Sequence, residues 1–454
     1  MPSSAHDALA RFHPLIRTWF SEQVGTPTPI QQLAWPIIAE GSHVLLTAPT
    51  GSGKTLTAFL WAIDQLARRQ LPTGTVRVLY VSPLKALNND IARNLLGPLT
   101  ALNALAAENC VDWPDIRAMT RSGDTPEADR RRMASRPPEI LITTPESLNL
   151  LLVSQRGRNM LDGVHSVILD EIHAIAGDKR GTYLMTAIER LTRLSGEFQR
   201  IALSATVRPL ERVAEFVGGF APKSQGGYVA RPVRLLQAED TKRIELQVCC
   251  PEDLREKRVD RKRLPAIIDA LKERIDANRS TLIFTNNRKL TEKTARLINL
   301  EADTPIAYSH HGSLSREVRQ GVEEHFKAGE LAAIVATNSL ELGIDIGALD
   351  EVVLLDSPRT LASGVQRVGR AGHNVGDVSR GRIYPLREHG FVDAAVMAGF
   401  CDTLSYGLGV TALFVCKKEG SKRGSGGQVP RRVRAEPCLP TRFCASSASR
   451  VWSC

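Results

Sequence analysis

At 454 residues the chain allows about three globular units with ample core. Its 43% hydrophobic and 24% charged residues are those of an ordinary soluble protein, and no apolar run approaches the roughly 20 residues of a membrane span. The formal charge of +10 is concentrated at one end: residues 417–454 hold nine Lys or Arg against Glu419 and Glu436, which leaves only +3 for the 416 residues before them. The high pI therefore says little about a basic groove in the core. The eight cysteines contain no paired C-x-x-C ligand sets, so buried or incidental thiols are expected rather than structural zinc. No basic-then-apolar signal pattern opens the chain, and a cytoplasmic address is the default expectation.

Leu15, Ile16, Trp19 and Phe20 predict a helix near the N-terminus, and Gly25-Thr26-Pro27-Thr28-Pro29-Ile30-Gln31 an extended turn into another. Trp19, Trp35 and Trp61 have apolar neighbours, which favours core packing over base stacking. His43-Val44-Leu45-Leu46-Thr47 then reads as a buried strand, followed by Ala48-Pro49-Thr50-Gly51-Ser52-Gly53-Lys54-Thr55 and a helical pattern through Leu56, Phe59, Leu60, Ile63 and Leu66. Beyond it, short apolar strands alternate with helical patterns, each strand delivering a polar segment at its end. Val76–Val81 delivers Ser82-Pro83-Leu84-Lys85, and Ile140–Ile142 delivers Thr143-Thr144-Pro145-Glu146. Val167–Leu169 delivers Asp170-Glu171-Ile172-His173, and Arg200–Leu203 delivers Ser204-Ala205-Thr206. Such alternation predicts a parallel α/β sheet covered on both faces, with ligands at the strand C-termini. Residues 221–240 read as a linker, after which the grammar restarts at 280–284, 306–308, 332–336 and 352–355. The expected organisation is a first domain over 1–220, a linker over 221–240, a second domain over 241–405 without a phosphate loop, and a low-complexity basic tail over 406–454. The pattern dissolves so abruptly there that a natural continuation is expected to be missing or replaced.

Strand, glycine-rich loop and helix form the context in which a backbone holds phosphate. Gly51 and Gly53 let the chain approach the anion; Thr50, Ser52 and the first helical amides complete the cradle. Lys54 supplies the charge for β- and γ-phosphates, and the Thr55 hydroxyl is placed for Mg2+. Ala48 departs from the general pattern, which has Gly there, and a bland Gly-Ser loop is the alternative. Asp170, past a buried strand, is suited to hold Mg2+ through water, and Glu171 to deprotonate the attacking water. The alternative for that pair is a surface turn.

The ordered motifs, residues 27–31, 48–55, 82–87, 144–146, 170–173, 204–206, 336–345 and 366–373, resemble the two RecA-like domains of a superfamily-two DExH-box helicase. Ser82-Pro83-Leu84-Lys85-Ala86-Leu87-Asn88 and Gly369-Arg370-Ala371-Gly372-His373 most resemble the Lhr-type (large helicase-related) group; the ligase-associated bacterial DNA helicases share this core. The resemblance implies an ATP- and Mg2+-dependent motor moving 3′ to 5′ on single-stranded DNA or partly unwound duplex, in DNA repair. An RNA or RNA–DNA hybrid remodeller is the alternative, as is a truncated core that binds without processive unwinding. It implies that Gln31 reads adenine and that Ser204, Thr206 and His173 couple hydrolysis to movement. Lys85, Thr144, Asn286, His311 and Thr337 would meet one strand's backbone, although His310 and His311 read equally as ordinary loop histidines. Asp345 would contact nucleotide from the second domain, with Gln366 and His373 catalytic and Arg370 as the arginine finger. Many relatives carry a second arginine where this chain has His373; either His373 is a weaker donor or Arg367 compensates at the nucleotide.

Overall fold

The computed structural model describes residues 8–48, 51–83, 85–205, 209–238, 244–251, 263–341, 349–372 and 378–406. Thr50, Thr206, Asp345, His373 and the tail from 407 lie outside the described residues.

The first domain is built on β1 (His43–Thr47), β2 (Val78–Val81), β3 (Ala118–Arg121), β4 (Ile140–Thr143), β5 (Ser166–Leu169) and β6 (Gln199–Ser204). A small antiparallel hairpin follows, β7 (Phe220–Pro222) with β8 (Tyr228–Ala230), and then β9 (Val233–Gln237). The sheet runs β3-β4-β2-β5-β6-β1-β9 with every pairing parallel. The second domain carries β10 (Ile244–Val248), β11 (Thr281–Thr285), β12 (Ala307–His310), β13 (Ala333–Ala336), β14 (Glu351–Leu355) and β15 (Ser379–Tyr384). Its order is β10-β15-β14-β11-β13-β12, again all parallel. Both sheets belong to one compact unit.

The unbroken apolar strands are explained by helices on both sheet faces. In β2, Val78 and Tyr80 join the core containing Phe59 of the helix Lys54–Ala67, whereas Leu79 and Val81 join the opposite core with Leu148 and Ile188. In β11, Leu282 and Phe284 face one layer and Ile283 the other. A strand buried on both sides has no polar face to alternate with. Trp19 and Trp35 are buried, and Trp35 donates its indole N–H to the Thr57 carbonyl at 3.1 Å, so these rings pack rather than present a stacking surface.

The sequence reading differs from the structure at residues 221–240. Within that expected linker, β9 pairs along its whole length with β1, from His43↔Val233 to Thr47↔Gln237. Its Arg234, Leu235 and Gln237 are exposed, because an edge strand has a neighbour on one side only. The short, mixed composition that suggested a linker is that of a partly covered edge.

A candidate ATP site shared by two domains

β1 ends at the phosphate loop, whose Gly51 (φ 84°) and Gly53 (φ 83°) adopt left-handed conformations that side chains disfavour. Gly53 is also crowded: a Cβ there would lie 2.8 Å from Gln31 Nε2. Gln31, almost fully buried, accepts the Thr28 N–H at Oε1 (2.9 Å), while the Thr28 hydroxyl donates to the Ser52 carbonyl at 2.9 Å. The capping pair of the helix Pro29–Ala39 thus braces the loop from outside. Lys54 Nζ donates to the Ala48 carbonyl at 2.5 Å. Ser52 Oγ is buried without a hydrogen-bond partner among the described residues. A buried hydroxyl left unsatisfied in a glycine-rich loop fits an anion-binding cradle.

Asp170 follows β5 and is fixed at three points. Its N–H donates to the Val81 carbonyl (2.9 Å), Oδ1 accepts the Glu171 N–H (2.7 Å), and Oδ2 accepts the Tyr80 hydroxyl. Burial, and then the Glu171 charge, raise its pKa to about 6, while the Tyr80 bond and Lys54 oppose the rise. Glu171 is turned into the site by a left-handed backbone (φ 49°). Burial raises its pKa too, against the charges of Lys54 and Arg370. A carboxylate whose proton affinity is lifted by burial is suited to accept a proton from water. The Asp170 carboxylate and Thr55 hydroxyl are hard oxygen groups, the donor type that a Mg2+ ion would take there.

His173 occupies the 3-10 turn Ile172–Ala174. Its Nδ1 accepts the Ala205 N–H at 3.2 Å and lies 3.2 Å from Ser204 Oγ. Burial, with Lys54 as a second cause, lowers its pKa to about 4. A neutral ring accepting at Nδ1 carries its proton on Nε2, which lies 3.4 Å from Glu171 Oε2. That Nε2–H faces the side-chain amide of Gln366, on the helix Leu361–Val368 of the second domain, which accepts it when the amide oxygen is turned to the ring. The structure therefore brings together Asp170, Glu171, His173, Ser204 and Gln366. Arg370, two residues beyond that helix, is close enough for its charge to act on Glu171, and its guanidinium donates to the Glu341 carbonyl (3.0 Å from Nη2).

Arg367 is grouped differently. Its buried guanidinium donates to Glu341 Oε2 (2.8 Å) and Asn286 Oδ1 (3.2 Å) and lies over the Phe284 ring. With Asn286, Thr337, Glu341 and the exposed Arg359 it lines a cavity of about 390 Å³ past the ends of β11 and β13. That setting joins it to two residues expected at the strand. Thr144 caps the helix Pro145–Val153 by accepting the Ser147 N–H at 3.3 Å, and Lys85 begins the helix Lys85–Glu108. His310 is buried between Ser339 and Glu323. His311 is held by Glu292 at 3.0 Å, its buried Nδ1 lacking a partner among the described residues. Sequence reasoning missed Tyr80, Glu341 and Arg359. Glu341 stood in a recognised motif and was the most findable; Tyr80 lay in an apolar strand and looked like core.

The fold agrees with comparisons to known proteins. Residues 28–213 match the DEAD/DEAH box helicase family and residues 262–374 the helicase conserved C-terminal domain. The chain is 42% identical to the Lhr helicase/probable uracil glycosylase of Mycolicibacterium smegmatis, over 87% of this chain and 28% of that protein. It is 43% identical to the ATP-dependent helicase Lhr-Core of Methanothermobacter thermautotrophicus, over 85% of this chain and 45% of that protein. The structure of Mycobacterium smegmatis helicase Lhr bound to ssDNA and AMP-PNP superposes with a TM-score of 0.78 at 43% identity, covering 87% of this chain and 50% of that one. The chain thus spans between about a quarter and a half of the length of these relatives. With tandem RecA-like domains, the ordered motifs and this degree of identity, it belongs to the superfamily-two DExH helicases, among their Lhr-type members.

Proposed function

We propose that this chain is an ATP-dependent motor on nucleic acid, acting on single-stranded DNA or partly unwound duplex. The observation that carries the reading is the contact of Gln366 with His173, which joins the second domain to the turn bearing Asp170 and Glu171. In this reading the loop amides and Lys54 hold the phosphates, Gln31 reads adenine, and Glu171 takes the proton of the attacking water. Arg370 stabilises the charge that develops on the transferred phosphoryl group, with Asp345, Gln366 and His373 acting with it in the second domain's motifs. Mg2+, held by Thr55 and Asp170 when bound, would neutralise phosphate charge. His173, neutral and bonded to Ala205, passes the state of the site to Ser204 and Thr206. Lys85 and Thr144 in one domain, and Asn286, His311 and Thr337 in the other, grip strand phosphates without reading sequence. Opening and closing of the cleft then moves one grip past the other. Movement 3′ to 5′ and a setting in DNA repair extend the reading by resemblance to the family.

Steady-state ATP hydrolysis with single-stranded DNA, with RNA and with no polymer tests it. Stimulation of turnover by DNA is expected. Stimulation by RNA alone would transfer the reading to RNA remodelling, and no hydrolysis under any condition would overturn it.

A further inference from the structure

Tyr80 is fully buried in β2, between the phosphate-loop helix and Asp170. Its ring stacks on Phe59 with centroids 5.1 Å apart and planes 25° from parallel. Every other β2 side chain is aliphatic, and the surrounding core needs only an aromatic ring. The hydroxyl is therefore a polar atom that packing does not require. Burying it costs stability unless it is bonded, and its partner is Asp170 Oδ2. The same strand holds the Asp170 backbone: Val81 pairs with Leu169, and the Val81 carbonyl accepts the Asp170 N–H at 2.9 Å. Because Oδ1 accepts the Glu171 N–H (2.7 Å), the carboxylate is held at both oxygens and its plane is set.

We infer that Tyr80 is a positioning residue for metal binding: its hydroxyl, held by the burial of its ring in β2, orients the Asp170 carboxylate toward the divalent cation that accompanies ATP. The inference rests on the proposed ATP site and adds a residue to it. A hydroxyl donating to a carboxylate is a charge-assisted bond, stronger than a neutral one, and it arrives pre-formed because the ring cannot turn inside a packed core. One residue past Val81, β2 gives way to Ser82 and Pro83 and then to the helix that Lys85 begins. The strand that braces the metal ligand thus leads directly into the segment expected to grip nucleic acid.

Tyr80→Phe keeps the ring and the stack and removes only the hydroxyl. Mn2+ serves as the probe, its affinity for the chain saturated with ADP read by electron paramagnetic resonance. Affinity is expected to fall about tenfold, the lower end for losing a hydrogen bond to a charged group. ADP binding without metal is expected to stay the same, and the thermal midpoint to fall modestly because the buried carboxylate loses a donor. Phe59→Leu removes the stack but leaves the hydroxyl; it is expected to lower the midpoint and leave Mn2+ affinity within about twofold, a packing effect only. Unchanged Mn2+ affinity in Tyr80→Phe overturns the inference, as does an equal loss in both variants, which would make the effect one of packing. A chain that binds no ADP at all overturns the nucleotide site together with the inference, and so is told apart from failure of the inference alone.

Discussion

Glu171 reaches the cleft from a left-handed turn at φ 49°, a conformation that costs a non-glycine residue about 1–3 kcal/mol. The cost is borne because Asp170 Oδ1 accepts the Glu171 N–H, locking the two carboxylates into different directions. Asp170 faces the Tyr80 hydroxyl, and Glu171 faces the charges of Lys54 and Arg370. In the proposed mechanism these adjacent residues of like charge take separate work, metal holding and proton acceptance. Glu171→Gln keeps the shape and removes the base. Nucleotide binding is expected to persist while hydrolysis falls by about 10²- to 10⁴-fold, which equilibrium binding and single-turnover assays separate; unchanged turnover would remove Glu171 from the role. His173 contributes differently. With a pKa near 4 it remains neutral across the working range and acts through fixed hydrogen bonds rather than by gaining charge.

Among the elements, β9 and the segment leading into it show most clearly where sequence patterning stops being informative. Strands buried on both faces, β1, β2, β4, β5 and β6, were legible as apolar runs, as were β11, β13 and β14. The edge strands β3, β9 and β10 and the arginine-bearing β15 were not, because partly covered positions carry polar residues. What secures β9 is charge placed before it. Arg231 forms a two-pronged pair with Glu197 (2.8 and 3.0 Å) and donates to Glu189 at 3.0 Å, while the fully buried Arg200 donates to Glu189, Val217 O and Gly218 O. The bond from Arg231 holds the Glu197 carboxyl below its ordinary value of 4.5. A carboxyl depressed in the folded state stabilises fully above its unfolded value and loses that contribution as pH falls through the folded one. Glu197→Gln is therefore expected to lower the thermal midpoint by about 1–3 °C near neutral pH, as for an exposed ion pair. The difference should close as acid takes the pH below 4.5. A difference that persists at the acid end would contradict the assignment.

At the scale of the whole molecule the proposed ATP site is divided, with cradle and carboxylates in one domain and Gln366 and Arg370 in the other. That division was legible in motif order, since a second domain lacking a phosphate loop carries the arginine-rich segment. The internal wiring was not. Arg367, expected at the nucleotide, is tied to Asn286 and Glu341, and Glu341 accepts Arg370 at its carbonyl. Spacing along a helix places residues on a face but does not say which partner each meets. Charge is unevenly shared as well. Removing residues 417–454 takes away a balance of +7, so non-specific affinity for nucleic acid should fall and its salt dependence flatten. An unchanged slope would assign the contacts to the two domains. The claim that both domains build one hydrolytic site is tested most directly by single-turnover hydrolysis in Arg370→Ala with nucleotide bound. The account predicts a loss of about 10³-fold or more, the contribution of an arginine finger, with nucleotide still bound to the first domain's cradle; a rate equal to that of the unaltered chain would contradict it.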